Sequence, residues 1–186
     1  MWIEPEAGAA HTPGARETHP SNPQPLIVMK TLLVSVDFSA ATRAVIDAAV
    51  ELATPTKAKI VLHHSVVPPV VTSEYGLSLE MLQETANIAE KTARHQLEHL
   101  EDELTARGLE VSTVLTRGGA SWHVLQQAAK LRADLIVLGS HGHTAFYDLL
   151  IGSTTHDVLK KATCPVLIVP PAKNQAGKRV KKPAKR

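Results

Sequence analysis

Three glycines and a hydroxyl are the residues whose spacing could do chemistry. In GSHGHTAFYDLLIGST, from Gly139 to Thr154, the glycines fall at Gly139, Gly142 and Gly152, and Ser153 follows the third. The pattern is G-x2-G-x9-G-[ST]. Glycines let a backbone come close to a ligand. A helix opening at Ser153 would offer unpaired N–H groups and partial positive charge to a phosphate. Turn formation is the plainer explanation for glycines beside a strand. With glycine at about 7% of residues, this spacing arises by chance in under roughly 1% of chains of this length. Two other phosphate-binding patterns are absent. No G-x-G-x-x-G follows the first strand, and no glycine precedes Lys-Ser or Lys-Thr.

Other reactive side chains are less telling. Asp37 closes an apolar run in VSVDFS. It is either a helix N-cap, with Ser39 as its rival, or a carboxylate aimed at a ribose hydroxyl or a metal. Of ten histidines, His63 and His64 are adjacent on a strand and point to opposite faces. His95 and His99 have the i, i+4 spacing of a shared ligand, but Glu98, Glu101 and Asp102 around them suggest a solvated helix face. His141 and His143 sit where they could meet a phosphate. Zinc catalysis would need a third ligand and a base that the pattern does not place. The single cysteine, Cys164, permits no internal disulfide and has the surroundings of an inert, half-buried thiol.

These residues need a frame. Apolar runs at Thr31–Val36, Lys59–Val67, Glu110–Thr116, Leu135–Leu138 and Pro165–Val169 predict five strands. Between them, helical periodicity marks Ala41–Ala53, stopping before Pro55, and Leu79–Arg107, with Gly108 as its stop. It also marks Trp122–Arg132, with Ser121 as N-cap, and Ser153–Ala162. Trp122 is expected in the core or on a dimer surface. Pro165 suggests an edge strand. Strands nearly all apolar and alternating with helices predict an α/β fold, a doubly wound, five-stranded parallel sheet of flavodoxin size in a single domain. Ligands of such sheets bind beyond the carboxyl ends of the strands, where Asp37, Ser65, Gly118 and Gly139 fall.

Composition narrows the function. The chain has 186 residues, 44% hydrophobic but 3% aromatic, which argues against a base-stacking nucleic-acid platform and a flavin sandwich. No run approaches the ~20 apolar residues of a membrane helix, and the N-terminus lacks the features of a signal peptide; a cytoplasmic protein is expected. Residues 1–28 are expected to be a disordered, Pro-rich extension, 29–171 the folded domain, and 172–186 a disordered basic tail. Specific nucleic-acid binding by that tail is not expected, because no aromatics stand beside it.

VDFS after the first strand, GSHG after the fourth and GST opening the last helix resemble the universal stress protein family over about residues 29–171. In that family's nucleotide-binding branch, G-x2-G-x9-G-[ST] is the ATP signature. The resemblance implies a flavodoxin-like sheet, a stress-response role and a homodimer through the last strand, Pro165–Val169. It implies that Ser35 and Asp37 lie near the adenosine and that the backbone around Ser65 meets the adenine edge. Leu138, Gly139 and Gly142 would follow the ribose and first phosphate, with His141 close by, and Gly152, Ser153 and Thr154 would hold the outer phosphates. The chain departs from relatives at Ala120, often Pro, and at Tyr147 and Asp148, often basic. With no Lys or Arg between Ala133 and Leu159, a triphosphate would rely on backbone donors and Mg²⁺. The expected function is an ATP-dependent regulatory switch that hydrolyses ATP slowly or not at all. A slow ATPase or nucleotidyl-transfer module, and a dimeric scaffold with an unused site, are the alternatives.

Overall fold

The computed structural model describes residues 29–67, 79–140 and 151–170. Five strands, β1 (Thr31–Ser35), β2 (Lys59–Val66), β3 (Val111–Arg117), β4 (Leu135–Gly139) and β5 (Val166–Val169), alternate with α1 (Thr42–Thr56), α2 (Leu79–Ala106), α3 (Ala120–Leu131) and α4 (Ser153–Lys161). The sheet order is β3-β2-β1-β4-β5, and every pairing is parallel. The doubly wound α/β architecture is as the alternation implies. β5 lies at an edge, as Pro165 suggested.

Strand period and helix period meet in two cores. Leu32, Val34, Ile60, Leu62 and Val137 pack with Val45, Ile46 and Ala49 of α1 and with Leu97 and Leu104 of α2. Leu33, Val61, Ile136 and Leu138 turn to the other face, against Val124 and Ala128 of α3 and Val158 of α4. Successive strand side chains therefore serve opposite layers, which is why the strands are apolar throughout. Asp134 seats the start of β1, its Oδ2 accepting from the Lys30 and Thr31 N–H groups at 2.8 and 2.9 Å.

Two local expectations are corrected and a third is narrowed. α1 does not stop before Pro55 but carries it inside the last turn, ending at Lys57 in the left-handed region (φ 54°). The proline removes only one donor there. The Thr54 and Thr56 hydroxyls donate back to the Val50 and Leu52 carbonyls at 2.8 and 2.7 Å, and the Lys57 N–H closes on Ala53. Ser121 is not an N-cap, since α3 opens at Ala120 on Gly119. Its hydroxyl donates instead to Asp157 of α4 at 3.3 Å. Trp122 is outside the core, 59% exposed. The expected N-terminal extension and basic tail lie outside the described residues.

Candidate functional site

In this strand order the chain leaves β1 toward one layer and β4 toward the other, so a crevice opens between them at their carboxyl ends. A cavity of about 710 Å³ fills it, within the usual range for a small-molecule site. Ser35, Asp37, Ser65, Leu138, Gly139, Gly152, Ser153 and Thr154 all line it. Eight of the ten candidate site residues are thus brought together. The other two, His141 and Gly142, lie outside the described residues, as does His143.

The two halves of the glycine motif are joined directly. The Gly152 N–H donates to the Ser140 carbonyl at 2.8 Å, and the Ser140 N–H to Val169 at 2.9 Å. The buried Thr155 hydroxyl donates to the Gly139 carbonyl at 2.9 Å. These bonds hold the first turn of α4 against the end of β4. Gly152 caps α4 with φ −68° and ψ 158°, and no side chain caps the helix. Any residue adopts that backbone conformation. Gly152 is therefore suited to the site by lacking a side chain beside the cavity, and the first N–H groups of α4 face a ligand-sized space.

Asp37 is not a helix N-cap. α1 has Ala41 at its cap with no side-chain bond. Asp37 Oδ1 instead accepts from the Ser39 N–H at 3.1 Å and the Thr42 hydroxyl at 3.5 Å. This turn throws Phe38 into the left-handed region, φ 59°, a conformation uncommon for a bulky residue and costing about 1–3 kcal/mol. The Phe38 ring packs on His64 with centroids 4.5 Å apart. His64 Nδ1–H in turn donates to the Val36 carbonyl at 2.8 Å. The Ser65 hydroxyl donates to the Gly118 carbonyl at 2.8 Å, so it is the Ser65 backbone that remains for the cavity.

Phe38, Thr42 and His64 escaped the sequence reading, as did the α2 residues Ala89, Thr92, Ala93 and Gln96, which close the far wall. The α2 set has i, i+3, i+4, i+7 spacing, and three of its members are small, a signal that was legible. Among the described residues lining the cavity there is no Lys or Arg, consistent with the charge-poor sequence.

His63 is on the opposite face from His64, fully buried. The Thr116 hydroxyl donates to the His64 carbonyl at 3.3 Å, so it accepts from His63 Nε2–H at 3.0 Å. His63 Nδ1 then finds no partner. Burial, followed by the nearby His123 and His64, holds the His63 pKa down to about 4. Cys164 is half-buried, and burial, then Asp134, pushes its thiol up, away from nucleophile chemistry. No group of three or more metal-ligating side chains occurs among the described residues.

These features define a doubly wound α/β protein with a ligand-sized cavity at the switch point of its sheet. Its sequence relatives are specific. Residues 29–170 match the universal stress protein family, and the chain belongs to it. It is 29% identical over 143 residues to universal stress protein YxiE of Bacillus subtilis, covering 74% of this chain and 97% of that one. The solved structure of MJ0577 from Methanocaldococcus jannaschii superposes with a TM-score of 0.67 at 26% identity, over 77% of this chain and 97% of that one. A universal stress protein of Archaeoglobus fulgidus, solved in complex with dAMP, shares the fold at 21% identity and TM-score 0.53, over 77% and 99% of the chains.

Proposed function

We propose that the cavity binds an adenine nucleotide, ATP with Mg²⁺ bridging its phosphates, and that the protein acts as a dimeric regulatory switch. The observation that carries this reading is the uncapped N-terminus of α4, opening at Gly152 over a cavity also lined by Asp37, Ser65 and Gly139. Phosphate oxygens would take the Ser153 and Thr154 N–H groups and the Ser153 hydroxyl. Asp37 and Ser35 would meet the adenosine, and the backbone at Ser65 the base edge. Leu138, Gly139 and Gly142 would run along the ribose and first phosphate, with His141 beside them. The dAMP-bound fold relative supports adenine as the base.

The lining supports binding over turnover. Its described proton acceptors are Asp37, engaged by Ser39 and Thr42, and His64, fixed on the Val36 carbonyl. Neither is a separate base poised for water attack, so hydrolysis is expected to be slow. With no cationic side chain in the described lining, Mg²⁺ would supply the charge. Equilibrium dialysis with labelled ATP, with and without Mg²⁺, tests the reading. Saturable, Mg²⁺-strengthened binding is expected, and no binding at millimolar nucleotide sinks it.

A further inference from the structure

α2 is longer than the sheet it covers. Its 28 residues span about 42 Å at 1.5 Å per residue, whereas the seven residues of β3 beneath it span about 23 Å. Burial follows from that mismatch. From Glu80 to Thr92 no residue is buried, and the buried residues of α2 begin at Ala93 and continue with Leu97 and Leu104. The cavity wall, made by Ala89, Thr92, Ala93 and Gln96, falls across this boundary. A helical segment with so few buried apolar contacts opens locally at low free energy.

Polar contacts from one face of β3 reach both halves of the helix. In the buried half, Glu101 accepts from the Thr113 hydroxyl at 3.2 Å. In the unburied half, Glu90 accepts from Arg117 Nε at 2.6 Å and from its Nη2. Arg94, one turn along α2, adds a third donor to Glu90 at 3.1 Å. We propose that the Arg117–Glu90 pair is a positioning device. It holds the α2 wall at its distance from the ends of β2 and β3, and so sets the width of the cavity for a flat base. The ligand in this inference rests on the nucleotide reading, whereas the clamp itself does not.

Each end of the pair is fixed to the site. The Arg117 carbonyl accepts from His123 Nε2–H at 2.7 Å. The next residue, Gly118, donates its N–H to Val66 at 2.9 Å and accepts from the Ser65 hydroxyl at 2.8 Å. Arg117 is thereby tied to the strand end that carries Ser65, while Glu90 adjoins Ala89 of the wall. Around Glu90 the positions one helical turn away are Ala86, Asn87, Ala93 and Arg94, so no second carboxylate flanks it on that face of α2. Its bond to Arg117 holds the Glu90 carboxyl below the usual carboxylate range, and the pair is charged at neutral pH. Exposed pairs add little to global stability. This one acts on a segment with no buried residue, where a small contribution decides how often the wall opens.

Equilibrium dialysis with ATP and Mg²⁺ on Glu90→Gln, Arg117→Gln and the double variant tests this, with urea unfolding and hydrogen exchange on the same proteins. Each single change should weaken ATP binding by roughly fivefold and leave the urea midpoint near that of the parent. The double variant should bind no more weakly than either single one, because the same contact is lost in all three. Amides of residues 80–92 should exchange faster in every variant, and those beyond Ala93 should not. In the unmodified protein, raising KCl to about 1 M should speed the same amides, which keeps the test valid if a variant misfolds. The proposal is overturned if the single variants bind ATP as the parent does, if their effects add in the double variant, or if exchange over 80–92 is unchanged. If the parent itself binds no ATP, the nucleotide reading fails, and exchange alone decides whether the pair holds the wall.

Discussion

His63 shows how one buried ring couples the fold to pH. Its folded pKa of about 4 lies below the ordinary 6.5 of an exposed imidazole. Between those values the unfolded chain binds the proton and the folded chain does not, so stability rises with pH there and is lost as pH falls from about 6.5 toward 4. At 1.36 kcal/mol per pKa unit, the loss approaches about 3 kcal/mol. Urea unfolding from pH 7 to pH 4 should show that decline, and His63→Gln, which keeps a donor for Thr116, should remove most of it. Gly118 is a different residue-scale case. With φ 119°, an added Cβ would lie 3.3 Å from His123 Nε2, whose Nε2–H donates to the Arg117 carbonyl at 2.7 Å. Gly118→Ala should lower stability by about 1–2 kcal/mol in the same assay.

At the scale of elements, α2 is the wall that sequence periodicity described only as amphipathic. Its Ala89, Thr92, Ala93 and Gln96 face the cavity, and small side chains there leave room for a ligand. Ala89 is exposed and helix-borne, so Ala89→Phe should narrow the cavity and weaken ATP binding by roughly tenfold, with a urea midpoint near that of the parent. Calorimetry and unfolding on the same preparation check both halves. The strands and their order along the chain were legible because apolar runs alternate with amphipathic ones. The joined halves of the glycine motif were legible from their spacing. The Asp134 bonds to Lys30 and Thr31 were not, since they link residues 104 and 103 positions apart and leave no local pattern. The Ser121–Asp157 contact, 36 positions apart, was hidden for the same reason. Pro55 misled because its rule applies to helix interiors, and here the threonine hydroxyls complete the last turn.

For the whole molecule, the sheet sets where chemistry can sit. The crevice between β1 and β4 gathers residues from three strands and from both helical layers, which no single motif could do. Among the described residues no helix is long and apolar enough to cross a membrane. The β5 edge presents half-buried Val166, Leu167 and Ile168, and among the described residues no strand pairs with its outer side, a surface suited to pairing with a second chain. If the proposed homodimer forms through this edge, Ile168→Lys should shift it to monomer in analytical ultracentrifugation.

The central claim is that the start of α4 and the end of β4 together hold the phosphates of a nucleotide. Isothermal titration of ATP with Mg²⁺ into the parent protein and into Gly152→Val tests it most directly, because the backbone angles at Gly152 are ones any residue adopts. The expected result is one ATP bound per parent chain, stronger with Mg²⁺, and binding lost in a variant that unfolds at nearly the parent urea concentration. Equal binding by both proteins, or none by the parent at millimolar ATP, would contradict it.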